Sequence, residues 1–154
     1  TTGSSTSIDI NDGAKSVFNA EAGIEILDSQ PANYQRSEAL TVTQNLLQKY
    51  NEVDAIFASN GEMALGAAEA VRQAGREKEI VVTALNCSQE IVQAIIDGKL
   101  LFTADDVAWK MGQQSVVAAR DYFSGVKLDK ELMQDCVIVD ESKLDEYKEM
   151  YGIQ

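Results

Sequence analysis

The residues best suited to chemistry in this sequence are amides, carboxylates and hydroxyls that directly follow short apolar runs. Four such clusters occur, at Ser59-Asn60-Gly61-Glu62, Asn86-Cys87-Ser88, Asp105-Asp106 and Ser29-Gln30-Pro31. An Asn side chain both donates and accepts hydrogen bonds, and a carboxylate accepts from more than one hydroxyl. Side chains of these types, if they converge, are suited to holding a molecule rich in hydroxyl groups.

Each cluster also has a purely structural interpretation as a helix N-cap. Ser59 with Glu62 three residues later has the spacing of a capping box, Asn86 or Ser88 suits the start of the next helix, and Asp106 suits the one after that. At a single position the cap is favoured by about two to one, because nearly every helix start has one. Only convergence of several clusters on one crevice favours ligand binding.

Two motif matches fail on inspection. The stretch from Gly61 to Gly66 has the glycine spacing of a phosphate-binding loop, but the Lys and the Ser or Thr that should follow are absent. Asp105 and Asp106 are paired carboxylates, yet neighbours that leave an extended strand point in opposite directions and do not face one substrate atom. The sequence therefore predicts neither nucleotide binding nor glycosidic cleavage.

Composition narrows the function classes further. The 154 residues include 25 Asp and Glu against 13 Lys and Arg, for a net charge of -12, and no His. An acidic surface repels nucleic acid and anionic lipid, and the lack of His removes the commonest general base and metal ligand. We expect no catalytic residue, no metal, no cofactor, no nucleic acid and no membrane insertion. Cys87 and Cys136 form at most one disulfide.

The elements that position the four clusters alternate along the chain. Hydrophobic patterning predicts strands over Ile24 to Asp28, Ala55 to Ala58, Ile80 to Leu85, Leu101 to Ala104 and Cys136 to Val139, all buried on both faces. It predicts helices over Thr6 to Ala20, Tyr34 to Tyr50, Gly61 to Ala74, Ser88 to Asp97, Val107 to Phe123 and Ser142 to Met150. Gly75, Gly98 and Gly125 stand where helices end.

This order predicts an α/β fold of the Rossmann-like or flavodoxin-like class, with a doubly wound, mostly parallel sheet. In such sheets ligands bind beyond the carboxyl ends of the strands, where the four clusters lie. A strand should precede the first helix, and it is missing or reduced to Thr1 and Thr2.

Several stretches resemble the type I periplasmic binding proteins of the ribose and galactose group. They are residues 54–75 (DAIFASNGEMALGAAEAVRQAG), 80–86 (IVVTALN), 94–103 (AIIDGKLLFT) and 28–33 (DSQPAN), together with Met111-Gly112. The resemblance runs through nearly the whole chain and is most specific up to Gly125. It implies a protein that binds a sugar between two lobes, with no catalysis.

The resemblance also implies four site positions. Asn60 matches an Asn that binds sugar hydroxyls in the family, whereas Asn86 stands where the family usually has an Asp. Asp106 stands where the family usually has a Gln or Asn, and Ile10, three residues before Gly13, stands where it commonly has an Arg. A standard ribose site is therefore not expected, and the alternatives are a different polyol, an amino or deoxy sugar, or no ligand at all.

Only the C-terminal half of such a protein is matched. The resemblance implies that residues 1–106 form the ligand-binding lobe and that the helix in residues 107–125 belongs to the missing N-terminal lobe. Residues 126–154 then return to the ligand-binding lobe as a C-terminal strand and helix. We expect the helix from Val107 to Phe123 to pack differently from the rest, or against another chain.

Three functions follow, in order of preference. The first is a sugar-binding or polyol-binding component of an ABC import system, periplasmic or extracellular, lipid-anchored in a Gram-positive source, and partnered by a permease or chemoreceptor. The second is the effector-binding core of a LacI-type regulator or a sensor, although no helix-turn-helix is present. The third, an enzyme on a Rossmann-like sheet, has only the fold class in its favour.

Overall fold

The structure is a computed structural model that describes residues 3–153. Thr1 and Thr2, the expected remnant of a preceding strand, lie outside the described residues. The helices are α1 (Ser5–Phe18), α2 (Arg36–Lys49), α3 (Gly61–Gln73), α4 (Gln89–Ile96), α5 (Ala108–Phe123) and α6 (Leu144–Tyr151). The strands are β1 (Ala55–Phe57), β2 (Val81–Leu85), β3 (Phe102–Asp105) and β4 (Val137–Val139).

The strands form one mixed sheet in the order β1-β2-β3-β4. The first three are parallel, with Phe57 opposite Thr83 and Thr83 opposite Phe102, and β4 runs antiparallel to β3. The predicted mostly parallel α/β fold is thereby confirmed. The register sets the carboxyl ends of β1, β2 and β3 side by side along one edge of the sheet.

The sheet is buried on one face only. Val82, Ala84 and Val139 are at most 2% exposed, whereas Val81 and Ile138 on the opposite face are 42% and 51% exposed. The prediction of strands buried on both faces is therefore wrong for the described residues. Side chains alternate between the two faces of a strand, and the described helices cover mainly one of them.

The buried face packs against a layer of helices. Small residues along α3 allow this close packing, but the tightest approach is to α2 and not to the sheet. A Cβ on Gly66 would lie 2.2 Å from the carbonyl oxygen of Arg36 and 3.0 Å from the backbone nitrogen of Leu40. Gly66 therefore sets the distance between α2 and α3.

Helix ends follow the sequence closely. Each predicted helix occurs within two residues of its predicted bounds. Gly75, Gly98 and Gly125 have φ of 68°, 69° and 81°, the left-handed conformation that a glycine adopts without a steric penalty.

One predicted strand is wrong. The residues from Ile24 to Asp28 form no strand and leave β1 at the edge of the described sheet. Side chains at the end of α2 hold this segment instead. The Tyr50 hydroxyl lies 2.9 Å from the carbonyl oxygen of Leu27, and Lys49 pairs with Asp28 at 2.9 Å. An apolar run becomes a strand only where a neighbouring strand pairs with its backbone.

Helix α5 contributes nothing to the buried core of the described residues. None of its residues is buried, and Trp109, Val116 and Phe123 are 55%, 72% and 86% exposed. The division of the chain at residues 106 and 125, and the assignment of this helix to another lobe, remain predictions.

Candidate functional site

Three of the predicted site residues follow neighbouring parallel strands and are half-buried: Asn60 after β1, Asn86 after β2 and Asp106 after β3. The start of α3 abuts the end of β2. A Cβ on Gly61 would lie 3.0 Å from the Ile91 side chain and 3.8 Å from the carbonyl oxygen of Leu85. A larger residue at position 61 would require the Ile91 side chain to move by a few tenths of an ångström.

Asn60 is the N-cap of α3. Its Oδ1 accepts a hydrogen bond from the backbone N–H of Met63 at 2.9 Å, on an extended backbone. The prediction of a capping box from Ser59 to Glu62 is therefore wrong by one residue. The cap occupies Oδ1, so Nδ2 is the donor with which Asn60 would meet a ligand.

Asn86 has a left-handed backbone, with φ of 70°. Asn tolerates this conformation better than most residues. Strand β3 holds it, because the Asn86 N–H donates to the carbonyl of Ala104 at 2.9 Å and the Thr103 hydroxyl donates to the Asn86 carbonyl at 2.5 Å. The Asn86 side chain then donates from Nδ2 to Oδ2 of Asp106 at 3.1 Å. This bond joins two of the predicted site residues.

The adjacent carboxylates have different surroundings, as the sequence predicts. Asp106 is half-buried and faces Asn86, whereas Asp105 is 6% exposed and bonds the Tyr147 hydroxyl at 2.8 Å. The expectation that Asp106 caps the next helix is wrong. Val107 holds the N-cap position of α5, and its N–H donates to Oδ1 of Asp105 at 3.0 Å.

Comparisons with known proteins identify the family of the chain. A family model for a periplasmic binding protein domain matches residues 1–127. The chain belongs to that family. The ribose import binding protein RbsB of Haemophilus influenzae is 33% identical over 139 residues, which are 90% of this chain and 47% of that protein.

Solved structures of periplasmic binding proteins also resemble this chain. The D-allose-bound periplasmic solute-binding protein of an ABC transporter from Actinobacillus succinogenes matches with a TM-score of 0.84 at 28% identity, over 89% of this chain and 49% of that one. A periplasmic ribose ABC transporter protein from Conexibacter woesei matches with a TM-score of 0.88 at 26% identity, over 97% and 51%. The chain thus spans about half the length of these periplasmic binding proteins.

The fourth predicted position of the periplasmic binding protein site lies on a helix and not at a strand end. Ile10 is half-buried in α1, an element separate from the three strand ends. Its alkyl side chain offers no hydrogen bond and no charge to a ligand. The described strand ends therefore present amides and a carboxylate without a neighbouring cation from this position.

The thiol nearest the site is unsuited to nucleophilic chemistry. Cys87 is half-buried, and burial, followed by the negative charge of Asp105, raises its pKa to about 11. A thiol with so high a pKa stays protonated at neutral pH. Cys136 is exposed, and both cysteines are free, so the disulfide allowed by the sequence does not form in this structure.

The sequence reasoning missed an ion-pair network that ties three helix starts together. Arg36 at the start of α2 pairs with Glu62 of α3 at 3.0 Å and with Glu90 of α4 at 2.7 Å. The carboxylates raise the pKa of Arg36, with Glu90 the larger influence. In the sequence, the only indication of this network is that the first turns of α3 and α4 contain Glu62 and Glu90.

A surface depression between α2 and α3 is lined by Tyr34, Arg36, Leu40, Glu62 and Gly66, among others. Neither Asn86 nor Asp106 lines it. We place the candidate site at the strand ends because donors and acceptors converge there, whereas the charged groups of the depression, Arg36, Glu62 and Glu69, are already ion-paired.

Two structural features are absent from residues 3–153. No group of three or more His, Cys, Asp or Glu side chains in this range is arranged to hold a metal ion. Within the same range, no helix combines the length and apolarity needed to cross a bilayer.

Proposed function

We propose that this chain supplies one wall of a sugar-binding or polyol-binding cleft. The observation that carries the proposal is the bonded pair of Asn86 and Asp106, with Asn60 at the end of the adjacent strand. Their remaining donors and acceptors suit a ligand with neighbouring hydroxyl groups. A second lobe, not described here, would supply the opposite wall.

The charge of the site favours a neutral or cationic ligand. Asp106 brings a carboxylate, and Ile10 stands where the resemblance implies a cation. The net charge of -12 adds a general repulsion of anions. A polyol, a deoxy sugar or an amino sugar therefore fits better than a sugar phosphate or a sugar acid.

The protein would deliver this ligand to an ABC permease or a chemoreceptor from the periplasm or the cell surface, with a lipid anchor in a Gram-positive source. Similarity to the ribose import binding protein of Haemophilus influenzae supports import over gene regulation. It supports solute binding over catalysis as well.

The first test is a thermal-shift screen of the full-length protein against monosaccharides, polyols and amino sugars. A ligand at one hundred times its dissociation constant adds about 2.7 kcal/mol of stability, which raises the melting temperature measurably. Absence of a shift with every compound would contradict the proposal.

The second test separates ligand binding from helix capping. Asn60→Asp keeps an oxygen that can cap α3 but replaces the Nδ2 donor, so we expect near-normal stability and weakened sugar binding by calorimetry. Ser88→Ala is the matched control, because Ser88 caps α4 at 3.3 Å and has no assigned ligand contact. It should lose about 1 kcal/mol of stability and no affinity. If Asn60→Asp and Asp106→Ala both bind normally, the site assignment is wrong.

A further inference from the structure

Two left-handed residues stand at the ends of neighbouring strands. Asn86 follows β2 with φ of 70°, and Val107 follows β3 with φ of 51°. For a β-branched residue such as Val this conformation is a genuine outlier. Strained backbone of this kind persists only where the surroundings hold it, and it is concentrated at functional sites.

Asp105 holds the strained residue. Its Oδ1 accepts from the backbone N–H of Val107 at 3.0 Å, and its Oδ2 accepts from the hydroxyl of Tyr147 at 2.8 Å. Asp105 is 6% exposed and Tyr147 is 3% exposed. A carboxylate buried this deeply depends on its hydrogen bonds, because water cannot replace a lost donor.

The hydroxyl that completes this arrangement comes from the C-terminal helix. Tyr147 lies in α6, 42 residues along the chain from Asp105. Burial, followed by the hydrogen bond to Asp105, raises the pKa of Tyr147, so that its hydroxyl remains a donor at physiological pH. Helix α6 therefore bonds directly to the strand end that carries the candidate site.

Asp106 lies between the two residues that this arrangement fixes. Its neighbours on either side, Asp105 and Val107, are bonded to each other, which restricts the backbone at Asp106. The Asp106 carboxylate faces Asn86, whose own backbone is held by Thr103 and Ala104. The direction of both ligand-facing side chains is thus set by buried bonds behind them.

We propose that Tyr147, acting through Asp105, is a positioning residue for Asp106, so that helix α6 sets the affinity of the site for its sugar. The inference rests on the proposed function. Tyr147 does not contact the ligand, and it determines where the Asp106 carboxylate stands.

The test is a double-mutant cycle in the full-length protein, with D-fucose, a deoxy sugar, and D-glucosamine, an amino sugar, as probes in calorimetry. Tyr147→Phe should weaken binding by up to about 10-fold to 100-fold, which is the whole value of a hydrogen bond from a ligand hydroxyl to the Asp106 carboxylate. In the Asp106→Ala background the same change should alter the remaining affinity less than about 2-fold, because the group it positions is gone. Equal weakening in both backgrounds, or none, would overturn the inference.

Tyr50→Phe is the matched control. It also removes a hydroxyl that lies near a carboxylate, 3.2 Å from Oδ2 of Asp28, but at the end of α2. It should leave the affinity within about 2-fold of the unchanged protein. A loss equal to that of Tyr147→Phe would mean that general destabilisation, and not positioning, explains the result.

A ligand-free measurement separates this inference from the proposed function. Tyr147→Phe should speed hydrogen exchange at the Val107 amide about 10-fold or more relative to amides of α3, and Tyr50→Phe should not. Unchanged exchange at Val107 overturns the inference whatever binds. A different result would count against the proposed function alone. In that case exchange at Val107 rises in Tyr147→Phe, but the unchanged protein binds neither sugar and no compound of the thermal-shift screen. Tyr147 would then still hold the turn at Val107, although the chain would not bind a sugar.

Discussion

The contact at Gly66 allows a stability change to be worked out from the structure. In Gly66→Ala the new Cβ would lie 2.2 Å from the carbonyl oxygen of Arg36, a distance that must open to at least 3.0 Å. The clash is with backbone, so no side-chain rotation relieves it. Helix α2 must move away from α3, and contacts along both helices loosen.

Two opposing effects determine how much Gly66→Ala changes the free energy of unfolding. Overpacking of this kind costs about 1–3 kcal/mol, and a clash with backbone places it at the upper end, about 3 kcal/mol. Replacing Gly by Ala inside a helix returns about 1 kcal/mol through helix propensity. We expect a net loss of about 2 kcal/mol, equivalent to a melting temperature lower by about 4–8 °C for a chain of this size.

Urea denaturation followed by circular dichroism measures this loss, with an unchanged slope as the sign that the same unit unfolds. Gly13→Ala in α1 is the control, since no atom lies within 4 Å of a Cβ at that position. It should be neutral or slightly stabilising. Gly66→Ala that matches or exceeds the stability of the unchanged protein would refute the account of the α2–α3 contact.

The remaining predictions concern titratable groups near the site. Iodoacetamide at pH 7.5 should label exposed Cys136 well before Cys87, because the pKa of Cys87 is raised to about 11. Peptide mass spectrometry measures the two rates of labelling. Equal rates would contradict the burial of Cys87. Stability should be constant from about pH 6 to about pH 8.5 and fall above it, since burial raises the pKa of Cys87, Tyr151 and Tyr147, and the unfolded chain loses these protons at lower pH. Urea midpoints at pH 7.5 and 10 test this, and a midpoint that does not fall would show that these groups are accessible.

The sequence predicts features that depend on local geometry. Gly75 and Gly98 end their helices because a left-handed residue is needed there and glycine adopts that conformation without penalty. The proximity of Asn86 and Asp106 is also predictable from the sequence, because parallel strands bring their carboxyl ends to one edge of the sheet.

Features that depend on distant parts of the chain were missed. Ile24 to Asp28 has the composition of a strand, but composition does not supply the neighbour that a strand requires. The bond between Tyr147 and Asp105 joins residues 42 positions apart, and nothing in the sequence near Asp105 identifies Tyr147 as its partner. The alternation of β3 could have placed Asp105 on the same face as buried Thr103, which would have signalled a carboxylate in need of a partner.

Within residues 3–153 taken by themselves, α5 has no buried residue, and we expect it to unfold apart from the sheet. Short helices in water are marginal without tertiary packing, and α5 has 16 residues, none of them buried. Its backbone amides are therefore expected to exchange through local opening, whereas those of α3 and β2 exchange only when the sheet and its helix layer come apart. A free energy of unfolding measured on these residues alone would then describe the sheet and its helix layer, whereas packing of α5 against a second lobe would join the helix to the unfolding of that lobe.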